Sequence, residues 1–479
     1  MARDNENLDR PKGKSLRPLK SLWPYIRPYH KTLIMALGAL LIASGALLML
    51  PIGVRYVIEQ VLTADSSAGI NQYFLGLFAV VAVLAVFSGM RLYLVTWVGE
   101  RVVADLRDAV YRHVITLDPT FFEVTKTGEV LSRLTTDTTL IQSMAGAGLS
   151  YVLRNSITLI GAIIMLAVTS ATLTGYILLI VPIVMVPIIV LGRRLRSLSR
   201  ESQDRIADSS GIAGEALNAV QTVQSFSLEQ LQGDRFAESV EASFESAIRR
   251  NRLRSTLTGL AMMSLFGAII AVIWIGIQAT MDGSITSGQL GQFVLYTIFV
   301  ATSGAALAEM WGEVQRASGA MERLLELLQS KPMIVTPTNP IRLPDPGAGR
   351  ITMEDVSFNY PSRPNQPALQ NLCLEIEPGE TVAFVGPSGA GKSTVFHLLL
   401  RFYDPKSGVL CIDGTDIALA DPKEVRAHVG VVPQETVIFG TSAMENIRYG
   451  RPGASEGGSE GSGKNGCGRR VHSRASRRL

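Results

Sequence analysis

The sequence is poor in charge and in cysteine. Only 18% of its 479 residues are Asp, Glu, Lys or Arg, against about 25% in soluble domains, while 47% are hydrophobic. With a mean hydropathy of +0.25, this composition excludes a disordered chain and argues against a soluble protein. The three cysteines, Cys373, Cys411 and Cys467, provide neither a zinc-binding spacing nor a disulfide framework. The formal net charge of only +4 gives no indication of a nucleic-acid partner.

Long stretches of the sequence contain no charged residue. They are 32–54, 73–90, 155–192, 255–281 and 283–308. A membrane-spanning helix needs about 20 apolar residues, so the stretch 155–192, with 38 residues, is long enough for two helices. The small, polar segment Ser170-Ala171-Thr172 divides it into a tight hairpin. The sequence therefore predicts six membrane-spanning helices.

Lysine and arginine are distributed unevenly among the segments that connect these stretches. Residues 1–31 contain eight, residues 99–154 six and residues 193–254 ten, whereas residues 55–72 contain one. Because positively charged loops remain on the cytoplasmic side of a membrane, both termini and the two long loops are predicted to be cytoplasmic. Apolar residues at helical spacing within Leu16–Ile26 predict an interfacial helix, which its prolines make short or bent.

The two long loops exceed the length of turns and are predicted to be helical extensions of the spans. Arg101–Leu117 and Ser197–Asn251 both have the composition of helices. The first loop is interrupted between Phe121 and Gly128, and the second at Gln232-Gly233. Short crosswise helices at these two interruptions could touch a cytoplasmic domain.

Arg91 is a charged residue inside or just below the second predicted span. An ionisable group at membrane depth is typical of a functional residue that lines a polar cavity. The alternative is an arginine that already lies outside the hydrocarbon, or whose side chain extends to the interface. The sequence leaves both interpretations open and favours the second.

The composition changes after Leu328. Five prolines between residues 332 and 346 indicate an extended linker. Beyond the linker, Ile351–Phe358 and Ala368–Ile376 have the apolar patterns of strands. Thr381–Val385 predicts a short buried strand, and Val429–Val432 predicts another one further along the chain.

Between these last two predicted strands lies the pattern Gly-x4-Gly-Lys-Ser, which is typical of a phosphate-binding loop. Its residues are Gly386, Pro387, Ser388, Gly389, Ala390, Gly391, Lys392 and Ser393, and Thr394 begins a helix predicted to run to Phe402. The glycines let backbone N–H groups surround phosphates, and the helix N-terminus adds partial positive charge. Lys392 provides a charge for the terminal phosphates, and the Ser393 hydroxyl coordinates Mg²⁺. The sequence therefore predicts a site for ATP and Mg²⁺.

Tyr360 and Gln434 are two further candidates whose residue types are less specific. Gln434 follows the predicted strand Val429–Val432, where its amide could hold Mg²⁺ or orient water, although a lone glutamine is more often a surface residue. Tyr360 ends a predicted strand and, taken alone, is more typical of packing than of stacking on a base. His397, on the helix after the loop, is interpreted as a packing residue.

From about residue 15 to residue 450 the chain resembles an ABC exporter half-transporter, in which six spans precede an ATP-binding domain. The segment Thr127–Asp137 is similar to the family's first coupling segment, and Gly288-Gln289-Leu290 and Arg316–Leu324 match the segments beside its sixth span. Val356–Pro361 resembles the loop whose aromatic residue stacks on adenine, which implies that role for Tyr360. Val432-Pro433-Gln434 resembles the Q-loop, which implies a Mg²⁺ and coupling role for Gln434.

The resemblance also implies a mechanism and partners. In the family, two ATP-binding domains close on two ATP molecules, and closure turns the membrane cavity outward. Six spans and one phosphate loop are half of that machine, so a second half-transporter is implied, either as a homodimer or as a heterodimer. The chain looks most like bacterial lipid- and drug-type exporters, which implies a lipid or hydrophobic small molecule as cargo and the bacterial inner membrane as location.

The sequence departs from the family after about residue 450. The Leu-Ser-Gly-Gly-Gln signature, the following catalytic Glu and the switch His do not occur in it. We therefore expect an incomplete ATP-binding domain with exposed apolar edges and little ATP hydrolysis, which makes a non-hydrolysing nucleotide-binding membrane protein the alternative function. Residues 457–479, rich in Gly, Ser and Arg, are predicted to be disordered. A frameshift near Gly457 is a further hypothesis, because codons read one base later could encode an amphipathic helix.

The predicted fold class is a membrane all-α six-helix exporter domain followed by an incomplete α/β P-loop nucleotide-binding domain. The predicted boundaries are 1–31 for the cytoplasmic N-terminus with its interfacial helix, 32–328 for the transmembrane domain, 329–349 for the linker, 350–456 for the ATP-binding part and 457–479 for the aberrant tail.

Overall fold

The structure is a computed structural model, and it describes residues 16–63, 68–434 and 437–455. The chain divides into two compact units. The first contains the described residues up to Leu117 and those of Thr125–Lys331, and the second contains Asp118–Val124 together with the described residues from Pro332 onward. The tail predicted to be disordered, at 457–479, lies outside the described residues.

The first unit is built from helices. Together with α4 of the second unit, they are α1 Trp23–Ile26, α2 His30–Thr63, α3 Ala68–Val114, α4 Pro119–Val124, α5 Thr127–Ser132, α6 Thr138–Ser143, α7 Leu149–Thr169, α8 Ala171–Asn218, α9 Val220–Ser225, α10 Glu229–Met281 and α11 Ser287–Gln329. Two 3₁₀ turns with a proline in their first turn, Arg17–Leu22 and Arg27–Tyr29, flank α1. The N-terminal helical segment is therefore short and irregular, as its prolines predict.

Several helical segments are long and apolar enough to cross a membrane. Among the described residues they are Arg17–Glu59, Asn71–Val114, Thr127–Thr169, Glu229–Met281 and Ser287–Gln329. The fourth predicted span falls within α8, where several side chains between 177 and 188 lie outside the described residues. The predicted hairpin is confirmed, because only Ser170 separates α7 from α8 and its hydroxyl accepts a hydrogen bond from the Leu173 N–H at 3.3 Å.

Helices α3, α8 and α10 continue well beyond the apolar stretches, with lengths of 47, 48 and 53 residues. This confirms the predicted helical extensions. The second predicted interruption is wrong, because Gln232-Gly233 lies inside α10 and the break instead surrounds α9. A glycine inside a helix costs only about 1 kcal/mol, which packing of a long helix easily offsets. The chain turns instead at Ser227, which has a left-handed φ of 50°.

Small residues bring the helices of the first unit close together. A methyl group on Gly276 of α10 would lie 2.2 Å from a methyl carbon of Leu290, and one on Gly161 of α7 would lie 2.3 Å from a methyl carbon of Leu48. Close approach of this kind is typical of membrane helices, whose association depends on van der Waals packing. The fully buried Tyr296 of α11 donates a hydrogen bond to the Leu48 carbonyl at 2.6 Å, so α2 and α11 are also joined by a polar contact.

An ion pair connects α11 to the helical turn that precedes α6. The Asp137 carboxylate, only 5% exposed, accepts from Nε of Arg323 at 2.8 Å and from its Nη2 at 2.5 Å. This two-point contact raises the pKa of the Arg323 guanidinium. Arg133 adds a hydrogen bond of 2.9 Å to the Arg323 carbonyl. Together these contacts fix the helical extension of α11 against the segment between α5 and α6.

The second unit contains a small antiparallel sheet. Its elements are β1 Ile351–Asn359, β2 Pro367–Ile376, β3 Ser407–Ile412 and β4 Thr415–Asp416, in the spatial order β2-β1-β3-β4, with helices α12 Lys392–Leu399, α13 Pro422–Ala427 and α14 Ala443–Arg448. The first two strands confirm the sequence-based prediction. The helix after the phosphate loop begins two residues earlier than predicted and ends at Leu399 rather than at Phe402.

The core of this unit lies between the sheet and α12. Met353, Val356 and Phe358 of β1 are buried in one cluster with Val395 and Leu398 of α12. The pairing of β1 with β2 shifts register between Met353 and Val356, which explains why the buried positions of β1 depart from strict alternation. The face of α12 that packs on the sheet thus fixes the helix whose N-terminus ends the phosphate loop.

Two predicted strands do not form in the described part of the chain. Thr381–Val385 and Val429–Val432 have no strand partner, and Val385 and Val432 are 92% and 96% exposed. The prediction of buried strands is therefore wrong. Such short apolar runs become buried strands only when parallel neighbours pair with them and helices cover both faces. Their exposure agrees with the expectation of apolar edges that are left uncovered.

The ion pair of Arg323 gives a first testable prediction. Arg323→Met leaves the buried Asp137 carboxylate without its cation, which should lower the free energy of unfolding by about 3 kcal/mol. Arg316→Met, a matched change on the same helix, removes a partly exposed pair with Glu313 and should cost under about 1 kcal/mol. Thermal unfolding of the two variants in detergent measures the difference. Equal midpoints would show that the Asp137 contact contributes nothing to stability.

Candidate functional site

The phosphate loop owes its shape to two glycines in left-handed conformations. Gly389 and Gly391 both have φ of 85°, which costs other residues about 1–2 kcal/mol each. Gly391 also lies against β2, where an added Cβ would be 2.6 Å from the carbonyl oxygen of Ala368. Only glycine fits there without displacement of the strand, so the contact fixes the distance between the loop and β2.

Lys392 is the first residue of α12, and its side chain folds back over the loop. Its Nζ donates to the carbonyl oxygens of Gly386 at 2.9 Å and Pro387 at 2.8 Å. The ammonium group is thereby held against the loop. The backbone N–H groups of Thr394 and Val395 donate to the Gly391 carbonyl, whereas those of Lys392 and Ser393 precede the first hydrogen bond of the helix. The loop therefore combines a fixed cation with N–H groups at a helix start, which suits a phosphate group.

A cavity of about 370 Å³ opens beside this loop. It is lined on one side by Ser388, Gly389 and 391–394, and on the other by Tyr360, Arg363 and 366–368. The structure thus brings Tyr360 and most of the phosphate loop together around one cavity. Arg363 adds a positive charge to the lining, which sequence analysis missed because no local pattern marks that residue. A larger cavity, of about 540 Å³, lies among α8, α9 and α10 and contains no predicted site residue.

Tyr360 is held in place by α12. Its hydroxyl lies 3.1 Å from Oγ1 of Thr394 and 3.1 Å from Nδ1 of His397. Its ring packs edge-on against Phe358 and Tyr403, with centroid distances of 5.0 and 5.4 Å. The interpretation of His397 as packing is therefore incomplete, because the imidazole also contacts the Tyr360 hydroxyl. Thr394 and His397 are three residues apart on a helix, so they lie on the same face. This spacing could have predicted that both side chains contact one residue.

The remaining predicted site residues lie outside the cavity lining. Gly386, Pro387 and Ala390 are exposed residues of the loop that do not line the cavity. Gln434 is exposed and belongs to the segment after Val432 that does not form a strand. Since no strand fixes this segment, nothing in the described structure directs the Gln434 amide toward the phosphate loop.

The fit of the site to Mg²⁺ rests on Ser393. Its hydroxyl faces the same cavity as the phosphate loop, and hydroxyl and phosphate oxygens are the hard ligands that Mg²⁺ prefers. Within the described residues there is no cluster of three or more His, Cys, Asp or Glu side chains that could hold a metal ion. A magnesium ion bound here would thus depend on nucleotide phosphates, whose negative charge it would neutralise.

Helix α4, which interrupts the first long loop, lies in the same unit as the phosphate loop. The Tyr403 hydroxyl donates to the Glu123 carboxylate at 3.1 Å, and burial raises the pKa of that hydroxyl, so it stays protonated. The Asp118 carboxylate accepts hydrogen bonds from the backbone N–H groups of Met333 and Ile334. These contacts agree with the prediction that a short helix at this interruption could touch a cytoplasmic domain. Tyr403 also packs on Tyr360, so one side chain separates α4 from the candidate nucleotide site.

Comparison with protein families gives two matches within the chain. Residues 33–303 match the ABC transporter transmembrane region, and residues 369–476 match the ABC transporter family of ATP-binding regions. The second match includes the phosphate loop and α12. The two regions follow each other in the same order as the helical unit and the sheet-containing unit.

Curated relatives match most of the length of this chain. A putative export ATP-binding/permease protein of Rickettsia bellii is 31% identical over 440 residues, which cover 90% of this chain and 75% of the relative. The ABC transporter B family member 1 of Dictyostelium discoideum is 32% identical over 91% of this chain and 48% of its own length. The mitochondrial potassium channel ATP-binding subunit of Homo sapiens is 34% identical over 91% of this chain and 60% of its own length. The chain thus spans about half to three quarters of the length of these relatives.

The close contact of Gly391 with β2 predicts a site-specific loss of nucleotide binding. Gly391→Ala should lower the affinity for a fluorescent ATP analogue at least tenfold, because the new Cβ displaces the loop from Ala368. Gly414→Ala is the matched control, since Gly414 also has a left-handed φ, of 75°, but open space around it. Fluorescence titration of both purified variants measures the effect. If both variants bind the analogue equally well, the loop contact does not control the site.

Proposed function

Because this chain belongs to the ABC transporter family, we propose that it is half of a dimeric exporter driven by ATP. In this proposal it exports or flips a lipid or other amphiphilic compound across the bacterial inner membrane. The membrane domain comprises 32–328, and the ATP-binding part comprises 350–456 after a linker at 329–349. Residues 1–31 and the end of the chain are cytoplasmic in this arrangement.

The observation that carries the proposal is the placement of α4. This helix connects α3 to α5 along the chain, yet it belongs to the unit that contains the phosphate loop. Glu123 of α4 is hydrogen-bonded to Tyr403, whose ring packs on Tyr360. A change at the nucleotide therefore has a short physical route to a segment that is covalently continuous with two apolar helices.

We propose a specific role for each predicted site residue. Tyr360 stacks on adenine, and the loop from Gly386 to Thr394 surrounds the phosphates with N–H groups and the Lys392 charge. The Ser393 hydroxyl is a ligand of Mg²⁺. Gln434 is the second protein ligand and joins the site only after its exposed segment moves toward the phosphates, since it does not line the cavity in this structure.

The proposed dimer is supported by the helix pair α8 and α10. These two long helices pack mainly against each other, and large apolar side chains on both remain exposed, among them Val190, Phe266, Ile270 and Trp274. In a membrane such surfaces face lipid or a second protomer. The family membership favours a second half-transporter, either a copy of this chain or a related one.

The proposed cargo and the proposed location of the protein are inferred from its similarity to other exporters. The Rickettsia bellii relative is named as a putative export protein, and the sequence resembles lipid- and drug-type exporters of bacteria. The distribution of Lys and Arg between the loops favours cytoplasmic termini. Relatives named as mitochondrial also match the chain, so the family itself is found in more than one kind of membrane.

A second candidate function is favoured by the exposure of Val385 and Val432. Both segments flank the nucleotide site and lack strand partners in the described residues. In this alternative the chain binds nucleotide as a membrane protein but neither hydrolyses ATP nor transports.

Reconstituted vesicles distinguish the two functions. The purified chain should bind ATP with Mg²⁺ and, under the first proposal, move a fluorescent phospholipid between leaflets only when ATP is present. Lys392→Met removes the cation of the phosphate loop and should lower ATP affinity about 10- to 100-fold, as expected for a charge-assisted contact. Lys406→Met, a change at an exposed lysine outside the cavity lining, is the matched control and should leave affinity unchanged.

Three outcomes of this experiment distinguish the exporter from the second candidate function. ATP-dependent lipid movement that Lys392→Met abolishes supports the exporter. Lys392-dependent binding without hydrolysis or lipid movement supports the second candidate. Binding that is equal in the unmodified chain and in Lys392→Met would contradict both functions.

A further inference from the structure

The cavity beside the phosphate loop carries positive charge that no acid balances. Among the described residues that line it, Lys392 and Arg363 are cations and none is an Asp or a Glu. The Lys392 ammonium group is already held by the carbonyl oxygens of Gly386 and Pro387. Arg363 is exposed and has no ion-pair partner in the part of the chain that the structure describes. Its guanidinium is therefore available to an anionic ligand of the cavity.

Arg363 lies on a short turn whose backbone is held by local hydrogen bonds. Its N–H donates to the Tyr360 carbonyl at 2.9 Å, and its own carbonyl accepts from the Gln366 N–H at 3.1 Å. The Asn359 side chain donates to the carbonyl oxygen of Pro364 at 2.6 Å, and the proline ring restricts one further backbone angle. A turn that is ordered in advance lowers the entropy cost of binding a ligand at the Arg363 side chain.

The order of the lining residues indicates which part of a nucleotide Arg363 contacts. Tyr360, the residue proposed to stack on adenine, is three positions before Arg363 on the same turn. The phosphate loop, with Lys392 for the terminal phosphates, forms the opposite side of the cavity. The α-phosphate is the phosphate nearest the base of a nucleotide. It is therefore the anionic group that lies closest to the turn when adenine is on Tyr360.

We propose that Arg363 binds the α-phosphate of the nucleotide, so that the site selects nucleotides over nucleosides. The inference deepens the proposed function and rests on it only in treating this cavity as the nucleotide site. A planar guanidinium can donate two parallel hydrogen bonds to two phosphate oxygens. Lys392 and Arg363 thus divide the phosphate chain between them, with the ammonium group at the terminal phosphates and the guanidinium at the α-phosphate.

A series of adenine ligands tests this division. The dissociation constants of ATP, ADP, AMP and adenosine are measured by ligand-detected NMR titration of the full-length chain in detergent with Mg²⁺. Arg363→Gln should weaken the binding of ATP, ADP and AMP by the same factor, about fivefold for an exposed charged contact, and leave that of adenosine unchanged. Arg363→Lys, which keeps the charge but loses the planar fork, should give an intermediate loss for the three nucleotides.

Two further variants serve as references for the series. Arg342→Gln is the matched control, because it removes another exposed arginine of the same unit that does not line the cavity. It tests the general attraction of nucleotides by surface charge and should leave all four affinities unchanged. Lys392→Met should weaken the binding of ATP and ADP far more than that of AMP, because AMP lacks the terminal phosphates. AMP therefore separates the contribution of Arg363 from that of Lys392.

Three results would overturn the role of Arg363. Unchanged nucleotide affinities in Arg363→Gln would show that the guanidinium makes no contact, and an equal loss in Arg342→Gln would show general attraction by surface charge. An equal loss of adenosine affinity in Arg363→Gln would place the guanidinium at the base or the ribose. If Lys392→Met weakens ATP binding while Arg363→Gln does not, the nucleotide site stands without this contact. If the predicted pattern appears but no lipid is moved, the exporter fails and the role of Arg363 is confirmed.

Discussion

A peptide group in hydrocarbon finds a hydrogen-bond partner only within the protein, and the helical unit depends on this constraint. It explains why the chain crosses its apolar stretches as helices and why those helices continue unbroken beyond them, over 47 residues in α3 and 53 in α10. Away from the hydrocarbon the chain can break its helices, because water satisfies the freed backbone groups. There it forms α4, whose Glu123 is hydrogen-bonded within the unit that holds the phosphate loop. The need for internal hydrogen bonds in hydrocarbon thus limits where a segment such as α4 can interrupt the long helices.

The candidate nucleotide site depends on the close contact between Gly391 and β2. The loop can approach the Ala368 carbonyl only because Gly391 has no side chain, and the helix that follows then presents Thr394 and His397 to the Tyr360 hydroxyl. Tyr360 and the end of the phosphate loop are therefore positioned by the same short helix. Through Tyr403, this arrangement also contacts α4. A single network of aromatic and hydrogen-bonded contacts therefore joins the candidate site to α4.

Local patterns in the sequence predicted much of this structure, and long-range contacts account for the rest. The hairpin at Ser170, the strands β1 and β2 and the phosphate loop follow from residues near each other along the chain. The segments Thr381–Val385 and Val429–Val432 were predicted wrongly, because an apolar run becomes a buried strand only when distant segments pair with it. The break at Ser227 was displaced from Gln232-Gly233, since a glycine is tolerated inside a long helix. The contact of Tyr403 with Glu123 joins residues 280 positions apart, which no spacing rule could show.

The account is tested most directly by photolabelling with 8-azido-ATP. This probe reacts from the adenine ring, so it reports which residue lies beside the base in the intact, membrane-embedded chain. We expect Mg²⁺-dependent labelling on the peptide that contains Tyr360, with ATP as an effective competitor and with loss of the label when Tyr360 is replaced by alanine. Labelling confined to other segments, or labelling that ATP does not compete with, would show that the cavity beside the phosphate loop is not the nucleotide site.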